Sequence, residues 1–281
     1  MNKLIGVLIK DEAKQGLKQD FFAAIIEGFR QVSNKAGFNI MMLNTTDEGD
    51  RLSYAEQIKA YGLDGIFITT APENDEFFEL INCNVPIAII DKDYENTINV
   101  QSNNSKGMAE LIEYIVSLGH RKIAYIMGNE NYVSNLRLSE FLKVCSKHKI
   151  NVPENYLIRS SFRNVEKSAY YTEQLLKLPD PPTCIVYSDD YGAVGGINVI
   201  NARGLEIPRD ISVAGYDGNE ILANVEPTIT TVAQNNMKMG QVAAEKLIHN
   251  ILNPDNQVKE TIIIESEFMY GRSVGRVHAA F

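Results

Sequence analysis

The stretch LIGVLI at Leu4–Ile9, followed by DFFAAIIEGFRQVSNKAG at residues 20–37 and FNIMML at residues 38–43, decides the fold. The first run is apolar at every position, which is typical of a parallel strand buried on both faces. The second has the spacing of a helix, with Asp20 placed to cap its start and Gly37 placed to end it. A strand, a helix and a second strand in this order predict a βαβ unit, and therefore a parallel sheet.

The same alternation of short β-branched runs and helical patterns continues to the end of the chain. Further strands are predicted at residues 64–69, 85–90, 122–127, 156–159, 183–187, 211–215, 229–232 and 261–265. Further helices are predicted at residues 51–60, 76–81, 105–118, 134–147, 165–176, 190–202 and 236–251. The fold class is therefore α/β, with two similar lobes, each a doubly wound parallel sheet flanked by helices.

The extended stretch at residues 97–101 and the segment near Ala233 are candidate crossovers between the lobes. One lobe should comprise residues 1–101 and 234–254, and the other residues 102–233 and 255–274. Residues 275–281 form a tail that the pattern leaves unassigned.

The composition indicates a globular protein whose own surface does not bind DNA. Of 281 residues, 44% are hydrophobic and 22% are charged, which is ordinary for a folded domain. The formal net charge is −9, and the chain has no basic run. A surface that contacts DNA phosphates is basic, because neutralising phosphates supplies much of the affinity. If this protein acts on DNA, another segment must make the contact.

The cysteines and the apolar runs fit a cytoplasmic protein. Cys83, Cys145 and Cys184 are far apart and form no CxxC motif, which predicts reduced and mostly buried thiols. No apolar run is long enough to span a bilayer, and no signal peptide precedes the first strand at Leu4. Either the native protein is cytoplasmic, or the sequence has been trimmed to begin at the fold.

Residues that follow the strands form the candidate site, because ligands of open α/β sheets bind beyond the carboxyl ends of the strands. These positions combine carboxylates, an arginine, a glutamine, a threonine and aromatic rings. The candidate ligand-binding residues are Phe21, Phe22, Thr69, Asp91, Arg137, Phe162, Asp189, Asp217 and Gln234. Sugar hydroxyls donate to carboxylates and accept from guanidinium and amide groups, while phenyl rings cover the apolar face of a sugar. The set therefore predicts a site for a hydroxyl-rich small molecule.

Each of these positions also has a purely structural interpretation. The three aspartates could equally be helix caps or loop acids, and the phenylalanine pair could belong to the core. Arg137 is harder to explain in this way, because the predicted helix begins at residue 134. A cation in the first turn opposes the helix dipole by roughly 0.3–1 kcal/mol, which a facing carboxylate or ligand would offset.

Three stretches carry a more specific signal: LGHRKIAYI at residues 118–126, GLEIPRDISVAGYD at residues 204–217 and PTITTV at residues 227–232. In these stretches the sequence resembles the LacI/GalR family of bacterial transcription regulators, and the similarity extends along nearly the whole chain. It looks more like the regulators than like their periplasmic sugar-binding relatives. The resemblance implies two lobes of the ribose-binding type, joined by three crossovers, with the ligand in the cleft between them.

The resemblance also implies a role for each candidate residue. Phe21-Phe22 matches an aromatic pair that covers one ligand face, and Phe162 matches the aromatic residue of the opposite lobe. The matching polar positions are Thr69 and Asp91 in the first lobe, Arg137, Asp189 and Asp217 in the second, and Gln234 at a crossover. The sequence departs from the family in three places: QDFF at residues 19–22 replaces NPFF, the loop at residues 11–18 is longer, and Ser102-Asn103 replaces an aspartate-asparagine pair.

For function, the resemblance implies a homodimeric regulator that needs no cofactor or metal ion. A small effector, expected to be a sugar, with a purine or another small metabolite as the alternative within the family, would change the angle between the lobes and thereby the affinity for operator DNA. The family binds DNA through a helix-turn-helix headpiece before the first strand, whereas here Met1-Asn2-Lys3 leads directly into that strand. The direction of the response to the effector does not follow from the sequence.

Two alternatives remain open from the sequence. A transport sugar-binding protein of the same fold would carry a secretion signal in its complete gene and would be a monomer. An enzyme would need catalytic groups, but Asp189 and Asp190 are adjacent residues at the start of a predicted helix, where neighbours in the sequence do not face each other. The chain contains no GxSxG, HExxH or P-loop motif, and its four histidines lack metal-ligand spacing.

Overall fold

The computed structural model describes residues 1–9, 20–43, 52–70 and 75–277. The strands are β1 Leu4–Ile9, β2 Asn39–Met42, β3 Gly65–Thr70, β4 Ile87–Ile90, β5 Ile98–Ser102, β6 Ile123–Met127, β7 Leu157–Arg159, β8 Cys184–Tyr187, β9 Ser212–Ala214, β10 Thr231–Ala233, β11 Thr261–Ile264 and β12 Glu267–Met269. The α-helices are α1 Asp20–Lys35, α2 Tyr54–Tyr61, α3 Asp75–Ile81, α4 Asn104–Ser117, α5 Tyr132–Lys147, α6 Val165–Leu176, α7 Asp190–Ala202 and α8 Asn236–Leu252. Helices and strands therefore alternate as the sequence pattern predicts.

The chain forms two units and crosses from one to the other three times, in agreement with the predicted fold. Unit 1 comprises Met1–Ser102 and Asn235–Glu265, and unit 2 comprises Asn103–Gln234 and Ser266–Phe281. Two predicted boundaries differ by one residue, since Ser102 lies in unit 1 and Gln234 in unit 2. A third differs by more, since residues 255–265 lie in unit 1 rather than in the second lobe. The reason is that β11 pairs in parallel with β5, so that Thr261 lies beside Asn99.

Unit 1 contains a six-stranded sheet in the order β11-β5-β4-β3-β1-β2. Every strand pair in it is parallel, and Ile5 of β1 lies between Ile40 of β2 and Gly65 of β3. The carboxyl ends of β1, β3, β4 and β5 therefore lie at one edge of this sheet. The first turn of α1, the end of β3 and the residues after β4 belong to that edge.

Apolar side chains cover both faces of the unit 1 sheet. Val7 points to the face packed by α1 and α8, whereas the next residue, Leu8, points to the face packed by α2 and α3. On the first face the rings of Phe29 and Phe67 stack with centroids 4.1 Å apart. Helices α1 and α8 approach so closely that a Cβ at Gly240 would overlap the α1 backbone. This packing anchors α1, whose first turn carries the predicted aromatic pair.

Unit 2 contains a four-stranded parallel sheet in the order β7-β6-β8-β9 and an antiparallel pair of β10 with β12. Parallel bridges from Ala214 to Thr230 and from Asp217 to Ala233 place β10 beside β9. Apolar residues of α4 and α5 cover one face of this sheet, and those of α6 and α7 cover the other. The residues after β6, β8, β9 and β10 consequently gather at one edge.

Several element ends differ from the prediction by a few residues, for local reasons. Helix α2 begins at Tyr54 rather than at residue 51, because Ser53 and Glu56 form a capping box. In it the backbone N–H of Ser53 donates to Glu56 Oε2 over 2.7 Å, and the N–H of Glu56 donates to Ser53 Oγ over 3.2 Å. Strand β10 is Thr231–Ala233, whereas the pattern predicts residues 229–232.

Part of the unassigned tail packs against unit 2. The backbone N–H of Gly275 donates to Ser212 Oγ over 3.1 Å, and that of Val277 donates to the carbonyl oxygen of Leu118 over 3.1 Å. Residues 275–277 therefore continue the unit 2 fold, while residues 278–281 lie outside the described residues.

The cysteine prediction is confirmed, since all three thiols are free. Cys145 and Cys184 are buried and Cys83 is half-buried, and burial raises the pKa of the Cys145 thiol to about 11. Of the helices in the described residues, each is too short or too polar to cross a membrane.

Candidate functional site

Arg137 is the centre of a buried polar cluster in unit 2. Its side chain is 2% exposed. Nε donates to Asn104 Oδ1 over 2.8 Å, and Nη1 donates to the carbonyl oxygen of Ser188 over 3.0 Å. Nη2 donates to Asp217 Oδ1 over 3.5 Å, and the guanidinium lies over the Tyr216 ring, 3.7 Å from its centroid. A buried cation needs such partners, because an uncompensated charge inside a protein is costly.

The predicted position of Arg137 in the first turn of a helix is wrong. Helix α5 begins at Tyr132, because Asn131 caps it by accepting a hydrogen bond from the backbone N–H of Ser134 over 2.8 Å. Arg137 is the sixth helical residue, in the second turn, where the helix dipole has little effect. Its partners are explained by burial, and not by an unfavourable position at the helix terminus.

Asp217 and Gln234 complete this cluster. Gln234 Nε2 donates to Asp217 Oδ1 over 2.6 Å, and the two backbones are joined because Gln234 N–H donates to the Asp217 carbonyl oxygen over 3.1 Å. Asp217 is 7% exposed and has φ of +95°, a conformation that residues other than glycine rarely adopt outside functional sites. The fold therefore holds this carboxylate in a strained conformation against the arginine.

Two acceptor atoms of the cluster have no donor in the described part of the chain. They are Asp217 Oδ2, since both of that carboxylate's hydrogen bonds go to Oδ1, and Gln234 Oε1, which is buried. Buried polar atoms normally have partners, so the buried and unpaired Gln234 Oε1 is an atom that a ligand or water can bind; Asp217 Oδ2 is an open acceptor beside it but is not completely buried. A ligand that donates hydrogen bonds, such as one with hydroxyl groups, would satisfy both atoms.

Asp189 has the structural role that the sequence left open as an alternative. It is the N-cap of α7, where Oδ1 accepts from the backbone N–H of Gly192 over 2.8 Å. Its Oδ2 accepts from the N–H of Arg163 over 2.8 Å and from Ser188 Oγ over 3.0 Å. Burial, together with the nearby charge of Asp217, raises the pKa of Asp189. Both oxygens are thus used in holding the α7 start and the segment at Arg163.

Phe162 lies next to Arg163 and is half-buried. Its backbone N–H donates to Asn129 Oδ1 over 3.1 Å. Its ring lies over Gly128, directly after β6, where a Cβ would overlap the ring. The aromatic ring is therefore fixed at the carboxyl edge of the unit 2 sheet, as the strand-end pattern predicts.

The unit 1 candidates lie at the carboxyl edge of its sheet. Phe21 and Phe22 are in the first turn of α1, with ring centroids 5.2 Å apart in an edge-to-face arrangement, and Phe21 also packs against the core. Thr69 is buried and donates from Oγ1 to the Leu8 carbonyl oxygen over 3.2 Å. Asp91 has φ of +51°, and its Oδ1 accepts from the backbone N–H of Ser102 over 3.2 Å.

Two sequence predictions concern the start of α1 and the loop before it. Asp20, expected to cap α1, is the first residue of that helix. The long loop at residues 11–18 lies outside the described residues.

Several polar residues of unit 2 were not singled out by the sequence as site residues. Asn104 contacts Arg137, and Asn219 binds Asp190 through its backbone N–H and Arg163 through its side chain. Asn104 comes two residues after β5, at the start of α4, so the strand-end rule could have found it. The other contacts join residues that are far apart in the sequence and leave no local pattern.

Comparison with known proteins places this chain in a family. The periplasmic binding protein-like domain matches residues 112–274. A probable HTH-type transcriptional repressor ExuR of Bacillus subtilis is 31% identical over 93% of this chain and 78% of its own length. The ribose operon repressor of Haemophilus influenzae is 26% identical over 97% of this chain and 81% of its own length.

A solved structure shares the fold. The LacI family transcriptional regulator of Enterococcus faecium, determined with bound ribose, superposes with a TM-score of 0.83 at 24% identity, covering 98% of this chain and 100% of that one. The relatives are transcriptional repressors, and the resemblance noted in the sequence is confirmed. This chain belongs to the LacI family of transcriptional regulators and contains its periplasmic-binding-protein-like domain.

Proposed function

We propose that this chain is the effector-binding part of a cytoplasmic, homodimeric repressor, and that its effector is a sugar. The observation that carries the proposal is the buried cluster of Arg137, Asp217 and Gln234, in which two acceptor atoms have no donor within the described residues. Sugar hydroxyls donate hydrogen bonds to such acceptors, and they also accept from a guanidinium group. The ribose bound by the Enterococcus faecium relative supports the same class of ligand.

The other candidate residues have distinct roles in this proposal. The Phe162 ring, at the edge of the unit 2 sheet, covers an apolar face of the sugar. Phe21, Phe22, Thr69 and Asp91, at the corresponding edge of unit 1, contact the same effector. Asp189 acts indirectly, because protein groups already occupy both of its oxygens.

The effector acts on DNA indirectly. The net charge of −9 argues against DNA binding by the surface of this chain, so the contact with operator DNA belongs to a helix-turn-helix headpiece of the kind the relatives are named for. The effector shifts the balance between two conformations of the regulator by its differential affinity for them. We propose no catalytic step, since both oxygens of Asp189 and both of Asp190 are engaged by protein donors.

Titration calorimetry tests the proposed site. D-ribose, D-glucose, D-galactose, maltose and cellobiose are titrated into the wild type and into Arg137→Ala and Gln234→Leu. We expect at least one of these sugars to bind the wild type. The affinity of Arg137→Ala for that sugar should be roughly tenfold to a hundredfold lower, because charged hydrogen bonds contribute about 1.5–3 kcal/mol. Gln234→Leu keeps the side-chain volume and should lose about tenfold.

The matched control is Ser273→Ala, which removes a buried hydrogen-bonding side chain of unit 2 that contacts Thr230 and Val213 and no candidate residue. It should bind the sugar like the wild type. Equal sugar affinity in all four proteins would remove Arg137 and Gln234 from the site. Binding of a purine base, and of none of the sugars, would contradict the proposed effector class.

A further inference from the structure

Asp190 is the first residue of α7, and its carboxylate binds two segments outside its own helix. The side chain is fully buried. Oδ2 accepts from the backbone N–H of Asn219 over 2.7 Å, and Oδ1 accepts from Thr231 Oγ1 over 2.7 Å. Asn219 comes two residues after Asp217, and Thr231 comes three residues before Gln234. One carboxylate therefore joins the two segments that carry the open acceptors of the candidate site.

The segment after β9 has a strained course that needs to be held in place. Asp217 and Gly218 have consecutive positive φ values of +95° and +71°. On one side the segment is bonded to β10, since the Asp217 N–H donates to the Val232 carbonyl oxygen over 2.9 Å. On the other side its exit at Asn219 is held by Asp190. Without that second contact the backbone at the exit of the turn would lose its hydrogen bond to α7.

The surrounding backbone leaves room for the Asp190 carboxylate. A Cβ at Gly215, the residue after β9, would overlap Asp190 Oδ1. A Cβ at Gly218 would overlap Ala233 of β10. Two glycines thus permit the close approach of α7, β9 and β10 at this point, which indicates that the position of the carboxylate is built into the fold.

A second contact ties Asn219 to the segment with the aromatic ring. Arg163 Nη2 donates to Asn219 Oδ1 over 3.0 Å, and Arg163 N–H donates to Asp189 Oδ2 over 2.8 Å. Asn219 is therefore held by its backbone to Asp190 and by its side chain to the residue that follows Phe162. The network connects the carboxylate, amide and aromatic parts of the proposed site.

We propose that Asp190 is a positioning residue for effector binding: it holds residues 217–219 against β10, so that Asp217 and Gln234 present their open acceptors to the effector. The effect on effector binding rests on the proposed function. Whether Asp190 holds residues 217–219 in place can be tested without any ligand. Because both oxygens of Asp190 are occupied and the side chain is buried, it acts through its neighbours and does not touch the effector.

Three variants test the proposal: Asp190→Ala, Asp190→Asn and, as the matched control, Ser273→Ala. Asparagine can preserve both contacts, because its oxygen accepts from Asn219 N–H and its amide donates to Thr231 Oγ1. Alanine removes both. Ser273→Ala removes the buried hydrogen bonds that Ser273 Oγ makes with Val213 of β9 and with Thr230, the residue before β10, away from residues 217–219.

Hydrogen exchange measured by mass spectrometry on the ligand-free proteins is the first readout. We expect peptides covering residues 216–222 to exchange at least tenfold faster in Asp190→Ala, and within twofold of the wild-type rate in Asp190→Asn and Ser273→Ala. Unchanged exchange of these peptides in Asp190→Ala, or equally fast exchange in Asp190→Asn, would overturn the proposal.

Calorimetry with D-ribose is the second readout. We expect Asp190→Ala to lose about tenfold in affinity and Asp190→Asn to recover it. If the wild type binds neither D-ribose nor another sugar, the proposed effector class fails while the exchange result still decides the role of Asp190. If D-ribose binds the wild type and Asp190→Ala equally, Asp190 does not position the site.

Discussion

Replacing Arg137 with methionine is expected to lower the free energy of unfolding by about 3–5 kcal/mol, because the change leaves Asp217 as a buried carboxylate without its cation. Both side chains are almost completely buried, with 2% of Arg137 and 7% of Asp217 exposed. Asn104 Oδ1 and the Ser188 carbonyl oxygen lose a donor at the same time. Methionine retains much of the side-chain length, so the loss reports the charge and its hydrogen bonds more than a cavity. Urea unfolding followed by circular dichroism measures it.

Two further variants separate burial from ion pairing. Arg137→Met combined with Asp217→Asn removes both charges and should recover at least half of the lost stability. Arg30→Met breaks an ion pair whose contact, 2.7 Å from Arg30 Nε to Glu27 Oε2, is shorter than that of Arg137 with Asp217. Because the Arg30 pair is at the surface, the urea midpoint of Arg30→Met should hardly differ from that of the wild type. A loss in Arg137→Met no greater than in Arg30→Met would contradict the electrostatic interpretation of the buried cluster.

The sequence predicts the fold well because the pattern reflects burial on both sides of each sheet. Strands such as β4 are apolar at every position, and all four of its residues are buried. What such a pattern cannot supply is the strand partner. β11 is correctly predicted as a strand, but its residues alternate between exposed and half-buried, and only the pairing with β5 assigns it to unit 1.

Helix starts are less predictable where the first turn is solvent-accessible. The apolar spacing of α5 becomes regular only from Leu138, so the pattern places the helix start late. The cap at Asn131 determines the actual start, and asparagine is common in loops as well as at caps. A helix start predicted two residues too late puts Arg137 in the first turn. Arg137 is a candidate residue on other grounds as well, so this prediction does not decide its role.

Strand ends locate the candidate residues from the sequence, but their interactions need the fold. The rule that ligands bind beyond strand ends selects Arg137, Asp217 and Gln234, which the structure brings into contact within unit 2. The same rule cannot distinguish Asp189, a helix cap, from a ligand-binding acid. It also gives no role to Asp190, whose partners are 29 and 41 residues away in the sequence.

Asp190 also predicts how stability depends on pH. Burial, with smaller effects from the charges of Asp217 and Asp189, raises the pKa of Asp190 to about 8, whereas its value in the unfolded chain is near 3.8. Between these two values the folded state holds a proton that the unfolded state has released. The contribution of Asp190 to the free energy of unfolding therefore falls as the pH rises from about 4 to about 8.

Asp190→Asn cannot titrate, so comparison with the wild type isolates this contribution. Effects of other groups, such as Asp189 with its raised pKa and His120 with its lowered pKa, are common to both proteins. We expect the wild type to lose stability relative to Asp190→Asn by a few kcal/mol, at most about 4 kcal/mol, between pH 5 and pH 8. Urea unfolding of both proteins at pH 5, 6, 7 and 8 measures the difference.

A constant difference between the two proteins across this range would mean that native Asp190 is ionised at pH 5, and that its two hydrogen bonds offset its burial. A difference that grows with pH would mean that the native carboxyl is neutral at pH 7. In that form the proton lies on one oxygen, which donates to Thr231 Oγ1 while the other accepts from Asn219 N–H, so the protonated acid makes the same two contacts as asparagine. The rescue expected for Asp190→Asn and the pH dependence of the wild type thus have one physical cause.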